Sequence, residues 1–395
     1  MDTKNLLNFA HKDLLFVTKR PDIVMASGAG MMITDTNGNE YLDCIGGWAV
    51  NCLGHSPKVI QEVLTKQAAT LVNGSPQFYN DAMVTFAHYL TDNSCLDRVF
   101  FCSTGSEANE GAVKLARKHG ALNKNGAYEI ITMEKSFHGR TLTTMSATGK
   151  KVWESLFEPK TAGFHHVPFN NIEALKKLVS DKTCAIMLEP IQGEGGVFAA
   201  DPEYLRQVRQ LCDQTNTLLI FDEVQTGIGR TGKLFAYEHF DIHPDIMTLA
   251  KGLGGGFPVA AMLASEALNI FEPGDQGGTY TGQPLAMVVG HAVVKEVIEK
   301  NLPAHAEVME TYIKSELEVL ATDFPIHNIR GKGLLLAFDL EGVNAQKVVE
   351  ACLERGLIIN ASSDTTVRLI PPLIIQKEDV DLLVNRLKEA LRVLV

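Results

Sequence analysis

The sequence predicts an α/β protein, with a large domain on a mainly parallel central sheet and a smaller α+β domain beside it. Strand-like apolar runs alternate with helix-spaced segments from about residue 98 to 265. Two runs, residues 218–221 (LLIF) and 246–250 (IMTLA), are short and apolar, as strands buried on both faces are. A chain of 395 residues, 45% hydrophobic, is also long enough to bury more than one core.

Taken in order, residues 31–42 (MMITDTNGNEYL) alternate around Asn37-Gly38, a pair that supplies the positive φ values of a tight hairpin. Residues 43–55 are irregular and hold Gly46, Gly47 and Trp48; a tryptophan there reads as a packing anchor or as a pocket wall. A strand at 98–102 (RVFFC) runs into Ser103-Thr104-Gly105-Ser106-Glu107, after which Ala108, Ala112, Leu115 and Ala116 keep helical spacing. Such a helix start offers free N–H groups to an anion, though a Ser/Thr loop is also an ordinary N-cap. The strand at 129–133 leads to Ser136-Phe137-His138-Gly139-Arg140-Thr141, and that at 184–188 to Glu189-Pro190 and a glycine turn with Glu194. His138, His165 and His166 lack metal-ligand spacing and read as structural. Asp201-Pro202 caps a helix with an apolar stripe of Tyr204, Leu205, Val208, Leu211 and Cys212. A helix from 284 toward 300, strands at 333–340 and 366–370, and a last helix striped by Val380, Leu383, Val384, Leu387 and Leu391 complete the chain.

Composition excludes several classes of function. A net charge of −11 without a Lys/Arg-rich run argues against a nucleic-acid binder. No apolar run has membrane length, and the start MDTKNLLNFAHKDLLF lacks a signal peptide's apolar core. Seven cysteines without C-x-x-C spacing suit a reducing compartment, so a cytoplasmic location is expected.

The chemistry concentrates at the ends of the two apolar runs. The first ends in Asp222-Glu223 and the second in Lys251, followed by Gly252, Gly254, Gly255 and Gly256. Ligands of open α/β sheets bind beyond the carboxyl ends of strands, so the acid and the lysine can face one pocket. A poorly solvated lysine is a nucleophile for an aldehyde, although by itself it also reads as one that snorkels to the surface. Pyridoxal phosphate needs such a lysine, a carboxylate at its ring nitrogen and a phosphate cradle elsewhere, and Lys251 and Asp222 supply the first two. Residues 227–232 (GIGRTG) fit the dinucleotide spacing G-x-G-x-x-G, but DEVQT separates strand from glycines, which speaks against a nicotinamide site.

The segments DEVQTGIGRTGK (222–233) and PDIMTLAKGLGGGFP (244–258) resemble the class III pyridoxal-phosphate aminotransferases, in particular the acetylornithine and ornithine branch. The resemblance spans nearly the whole chain and implies fold type I and a homodimer with its active site at the subunit interface. It also implies an N-terminal segment (1–55) contributing to the small domain and the substrate channel, a large cofactor domain (56–285) and a C-terminal small domain (286–395). Lys251 would carry the cofactor and move protons, with Asp222 at the ring nitrogen, Gln225 at the ring hydroxyl, and Phe137 and Val224 on the two ring faces. Gly105 and Ser106 would hold the phosphate, joined by Thr279 from the partner subunit. Arg140 and Arg368 would clamp substrate carboxylates, Glu194 would pair with Arg368 at rest, and Trp48 and Tyr79 would line the channel. Trp48, Thr281 and Gln283 depart from the branch, which usually has a smaller aliphatic residue or tyrosine, a glycine and an asparagine there.

The implied reaction moves the terminal amine of an N-acylated diamino acid, N2-acetylornithine first, to 2-oxoglutarate, a step of arginine biosynthesis. Ornithine, succinylornithine, 4-aminobutyrate and lysine derivatives follow as donors. A pyridoxal-phosphate isomerase or decarboxylase would keep Lys251 and Asp222 but need no second substrate, and a binding protein on this fold would normally have lost the lysine or the cradle.

Overall fold

The structure, a computed structural model, describes residues 2–395. Its centre is a seven-stranded sheet in the order Arg98–Cys102, Ala260–Ala264, Ile246–Leu249, Leu218–Asp222, Thr183–Leu188, Glu129–Met133, Phe164–Val167. Ala260–Ala264 runs antiparallel to both neighbours, and the other six strands run parallel to one another. Every residue of Thr183–Leu188, Leu218–Asp222 and Ile246–Leu249 is buried, the consequence of covering a sheet on both faces with the helices that return the chain between strands. Six strands sharing one direction open their carboxyl ends on one edge, and that edge holds the pocket.

Two smaller four-stranded sheets are built outside the central one, and the first joins the two ends of the chain. Met25–Ala29, Met32–Asp35 and Glu40–Asp43 form an antiparallel ribbon, to which Leu357–Ile358 adds in parallel. Ile326–Lys332, Leu335–Leu340, Thr366–Leu369 and Asn360–Ala361 form a four-stranded antiparallel sheet. The helix Lys377–Arg392 buries Val380, Leu383, Leu387 and Leu391, and Val384 is half-buried at the stripe's margin.

Two local expectations are corrected. In the hairpin only Gly38 takes a positive φ (86°); the turn is organised by Asp35, whose Oδ1 accepts from the N–H groups of Asn37 and Asn39 at 2.8 and 2.9 Å. The strand expected at 333–340 begins at Leu335, because Gly333 is at φ 54° beside the backbone of Arg230 and Thr231. A side chain at Gly333 would collide there.

The segment 227–232 turns inside the protein. Gly227 lies against the Glu223 carbonyl and Leu249, and Gly232, at φ 97°, against Glu307. Arg230 is fully buried and donates Nη1 to the carbonyls of Leu334, at 3.0 Å, and Pro371, which ties this loop to the C-terminal region. These glycines serve close packing, and none lines the main pocket.

The helix Gly105–Asn123 carries the expected apolar face, with Ala108, Ala112, Leu115 and Ala116 all buried. Near its end a Cβ on Gly120 would overlap the Ala127 carbonyl oxygen and approach Cys184 Cβ to 3.0 Å. Gly120→Ala is therefore expected to destabilise the fold by about 1–3 kcal/mol, seen as a lower thermal midpoint. An unchanged midpoint would mean that the helix does not lie against that turn.

Candidate active site

The pocket is a cavity of about 340 Å³ at the carboxyl edge of the central sheet. Five of the six parallel strands each deliver one piece of its wall: Ser103 to Ser106 follow Arg98–Cys102, Phe137 to Gly139 follow Glu129–Met133, Glu189 and Glu194 follow Thr183–Leu188, Val224 and Gln225 follow Leu218–Asp222, and Lys251 follows Ile246–Leu249. Val50 closes one side. The placement follows from topology, since parallel strands with returning helices leave their loops on the same edge.

Lys251 opens a single 3-10 turn at φ 47°, an uncommon conformation for a side chain with a Cβ, and is half-buried in the cavity wall. Burial pushes its amine below the ordinary lysine value, against the opposing charges of Glu194, Asp222 and Glu189. Asp222 is buried at the end of its strand, and its carboxylate accepts three hydrogen bonds. Val224 N donates to Oδ1 at 3.0 Å; Asn109 Nδ2 and His138 Nδ1 donate to Oδ2 at 2.8 and 2.7 Å. Asn109 is oriented in turn by Thr248, whose hydroxyl donates to its Oδ1 at 2.7 Å. All of Asp222's partners are donors, so the carboxylate is set up as an acceptor.

Gln225 points an amide into the cavity with neither Nε2 nor Oε1 partnered, although both are buried. Gly193 makes the room, because a Cβ there would overlap that amide. Two unmet polar atoms in a buried wall are what a polar ligand satisfies. Thr104 caps the helix Gly105–Asn123 reciprocally with Glu107, whose Oε2 accepts from the N–H groups of Ser103 and Thr104 at 3.0 and 2.8 Å. With Glu107 on those two groups, the N–H groups of Gly105 and Ser106 remain for an anion.

Among the residues singled out in the sequence, Gly105, Ser106, Phe137, Glu194, Asp222, Val224, Gln225 and Lys251 line this cavity together. Trp48, Tyr79, Arg140, Thr279 and Arg368 do not line it. Trp48 is half exposed on a kinked turn at φ 64°, and Tyr79 and Thr279 lie exposed on the surface of the single chain. Arg140 is exposed, with its guanidinium over the rings of Phe137 and Trp153. Arg368 is buried on Thr366–Leu369, with Nη1 donating to the Gly193 carbonyl at 2.8 Å.

The expected resting pair of Glu194 with Arg368 is not the one formed. Glu194 Oε2 instead accepts from Lys150 Nζ at 2.6 Å, and no Glu194–Arg368 contact within 4.0 Å occurs among the described residues. Burial alone would push the Glu194 carboxyl up, but Lys150 in contact, helped by Arg368 and Lys251, brings it below the ordinary glutamate value.

Other participants were not legible from the sequence. His138, read as structural, contacts Asp222; Asn109 and Trp153 carried no signal at all. Glu189 is buried, accepts from Phe137 N and Gly193 N at 3.0 and 3.1 Å, and is pushed by burial up to about 7. Its position between a strand end and a proline was its only advance sign.

A family profile described as Aminotransferase class-III matches residues 17–391. The acetylornithine aminotransferase of Caldanaerobacter subterraneus is 45% identical over 378 residues, covering 95% of this chain and 96% of the relative. That of Methanocaldococcus jannaschii is 46% identical over 395 residues, covering 98% of each. Among solved structures, the acetylornithine aminotransferase of Elizabethkingia anophelis superposes with a TM-score of 0.89 at 34% identity over 99% of both chains. An ornithine aminotransferase from Toxoplasma gondii, described with partial occupancy of PLP at its active site, gives 0.95 at 30% identity over 99% of this chain and 94% of its own.

Glu223, next to Asp222, points away from the cavity. It accepts from Ala236 N at 2.6 Å, Tyr237 N at 2.9 Å and Thr226 Oγ1 at 3.1 Å, and burial pushes its carboxyl from 4.5 to about 7. A raised carboxyl means that the folded protein holds a proton which the unfolded chain releases, so this residue's contribution to stability falls as pH rises from about 4.5 to about 7. Thermal midpoints of the wild type relative to Glu223→Gln are expected to fall across that window and to level off above it. Parallel curves would contradict the assignment.

Proposed function

The chain belongs to the class-III aminotransferases, and we propose that it moves the terminal amine of an N-acylated diamino acid, N2-acetylornithine first, to 2-oxoglutarate. The observation that carries the donor is the name shared by relatives 45% and 46% identical over nearly the full length. It would make the enzyme a cytoplasmic contributor to arginine biosynthesis. Ornithine is the second donor, on the likeness to the Toxoplasma gondii ornithine aminotransferase.

The cavity fits pyridoxal phosphate: a half-buried amine, a buried acceptor carboxylate, an unpartnered amide and free N–H groups at a helix start line it together. When bound, that cofactor supplies an aldehyde that captures primary amines and a protonated ring that draws off the electron pair left when a carbon–hydrogen bond breaks. Lys251 Nζ would hold the cofactor at its aldehyde carbon and would act as the base that takes the proton from the donor's reacting carbon. A lowered proton affinity suits both tasks, since the amine must be neutral to attack and to accept. Asp222, its orientation fixed by Asn109 and His138, would keep the ring nitrogen protonated. Phe137 and Val224 would flank the ring, Gln225 would meet the ring hydroxyl, and Gly105 and Ser106 would bind the phosphate. Arg140 and Arg368 receive the acceptor's two carboxylates, and the segments carrying Trp48 and Tyr79 form the channel mouth.

We assign the assembly as a homodimer. Tyr79 is 90% and Tyr280 65% exposed in the single chain, with Phe78, Leu71 and Val72 also uncovered. A second copy would cover such apolar surface and bring the partner's Thr279 to the phosphate.

The direct test is to mix the cofactor-loaded enzyme with N2-acetylornithine alone, follow its visible absorption, and then add 2-oxoglutarate. Loss of the band, its recovery and release of glutamate are expected. A response to glutamate but not to acetylornithine would refute the donor, and turnover without any 2-oxoglutarate would point instead to an isomerase or decarboxylase. Lys251→Ala is expected to lower turnover by ~10²–10⁴-fold or more while leaving the fold intact. Sedimentation of the loaded enzyme as a dimer is expected; a monomer with full activity would remove Thr279 from the site.

A further inference from the structure

Glu194 stands between two cations, and the structure joins it to the outer one. Lys150 and Glu194 are 23% and 24% exposed and meet at 2.6 Å. Arg368 is buried, gives Nη1 to the Gly193 carbonyl and leaves Nε without a partner. Glu194 and Arg368 nonetheless sense each other's charge, each shifting the other's proton affinity toward its ionised form. Arg368 is anchored on Gly193, the residue before Glu194, so the loop that carries the carboxylate touches the guanidinium while the carboxylate itself is held by Lys150.

Lys150 has a seat of its own. The preceding residue, Gly149, bridges to Glu134 and accepts from Lys135 N at 2.7 Å, which fixes the backbone at the end of Glu129–Met133. The Lys150 ammonium lies 4.9 Å from the centre of the Phe137 ring and 5.2 Å from that of Trp153, while those rings meet edge to face at 5.8 Å. Two aromatic faces hold the cation electrostatically whether or not a carboxylate is present. Holding Glu194 here costs less desolvation than pairing it with the buried guanidinium, because both partners keep some water.

We propose that Lys150 is a positioning residue for acceptor specificity: by holding Glu194 outward it keeps the Arg368 guanidinium free to bind the α-carboxylate of the keto acid. The inference rests on the transamination reading above. If Glu194 sat on Arg368, every entering carboxylate would have to displace it, and apparent affinity would drop by the fraction of enzyme in the blocked form. The unpartnered Nε of Arg368 is the donor that an entering carboxylate would fill, beside the guanidinium's other N–H groups. Donors that react at a terminal amine without an α-carboxylate at this point would be indifferent to the latch.

The test compares Lys150→Gln with the wild type, both as such and with Glu194→Gln already in place, using the cofactor-loaded enzyme throughout. Glutarate, a dicarboxylate with no keto group to react, reports acceptor-site affinity by calorimetry without turnover. Lys150→Gln is expected to weaken glutarate and to raise the KM for 2-oxoglutarate by about 5–150-fold, with kcat and the donor half-reaction little changed. In the Glu194→Gln background the same substitution should alter neither, and Lys150→Arg should restore wild-type affinity. Equal weakening in both backgrounds would overturn the proposal, because Lys150 would then attract the carboxylate itself; so would no weakening in either. Circular dichroism and the visible cofactor band identify a variant that misfolds, in which case Lys150→Met takes its place. An enzyme that exchanges no amino group with glutamate refutes the functional reading before any variant is compared, so the two failures are distinct.

Discussion

A half-buried amine and a buried carboxylate lining one cavity are the constraint on which the rest of the structure depends. Neither Lys251 nor Asp222 is tolerable in an ordinary core, since an isolated buried charge is among the costliest features a fold can carry. The sheet makes the arrangement stable through its register. Asp222 pairs with Thr248 across neighbouring parallel strands, Thr248 holds Asn109, and Asn109 returns a hydrogen bond to Asp222. Three residues beyond Thr248 the chain delivers Lys251. A one-residue slip would turn Asp222 to the other face of the sheet and break the circuit.

Around that pair the charges form a graded set. Glu189 lies deep and leans toward its protonated form, whereas Glu194 lies at the rim, ionised and tied to Lys150. Arg368 is buried with part of its donor capacity unused, and Gln225 offers an amide with nothing to bind. A cavity whose polar groups complete one another only partly is poised for a charged ligand, and the unmet groups sit on different strands' loops, so one ligand must touch several of them.

Much of this was legible in the sequence for a physical reason. Strands buried on both faces write themselves as apolar runs, and a polar residue ending such a run is placed by topology at the ligand edge, which is how Asp222 and Lys251 could be named from the sequence; Gly105 and Glu194 followed only from the family resemblance. The antiparallel course of Ala260–Ala264 was not legible, because a buried strand reads the same in either direction. Nor were Asn109 and His138, whose importance lies in a partner more than eighty residues away. The Glu194–Arg368 pair failed as an expectation for a related reason: a carboxylate chooses among cations by distance and solvation, and Lys150 and Trp153 gave no sign of converging there.

The central claim is that nitrogen leaves a terminal amine and arrives on the α-carbon of glutamate within one protein. N2-acetylornithine carrying heavy nitrogen only at its terminal amine, incubated with the enzyme and 2-oxoglutarate, should yield glutamate in which nearly every new molecule carries the label. Label appearing as free ammonia, or unlabelled glutamate, would contradict the account.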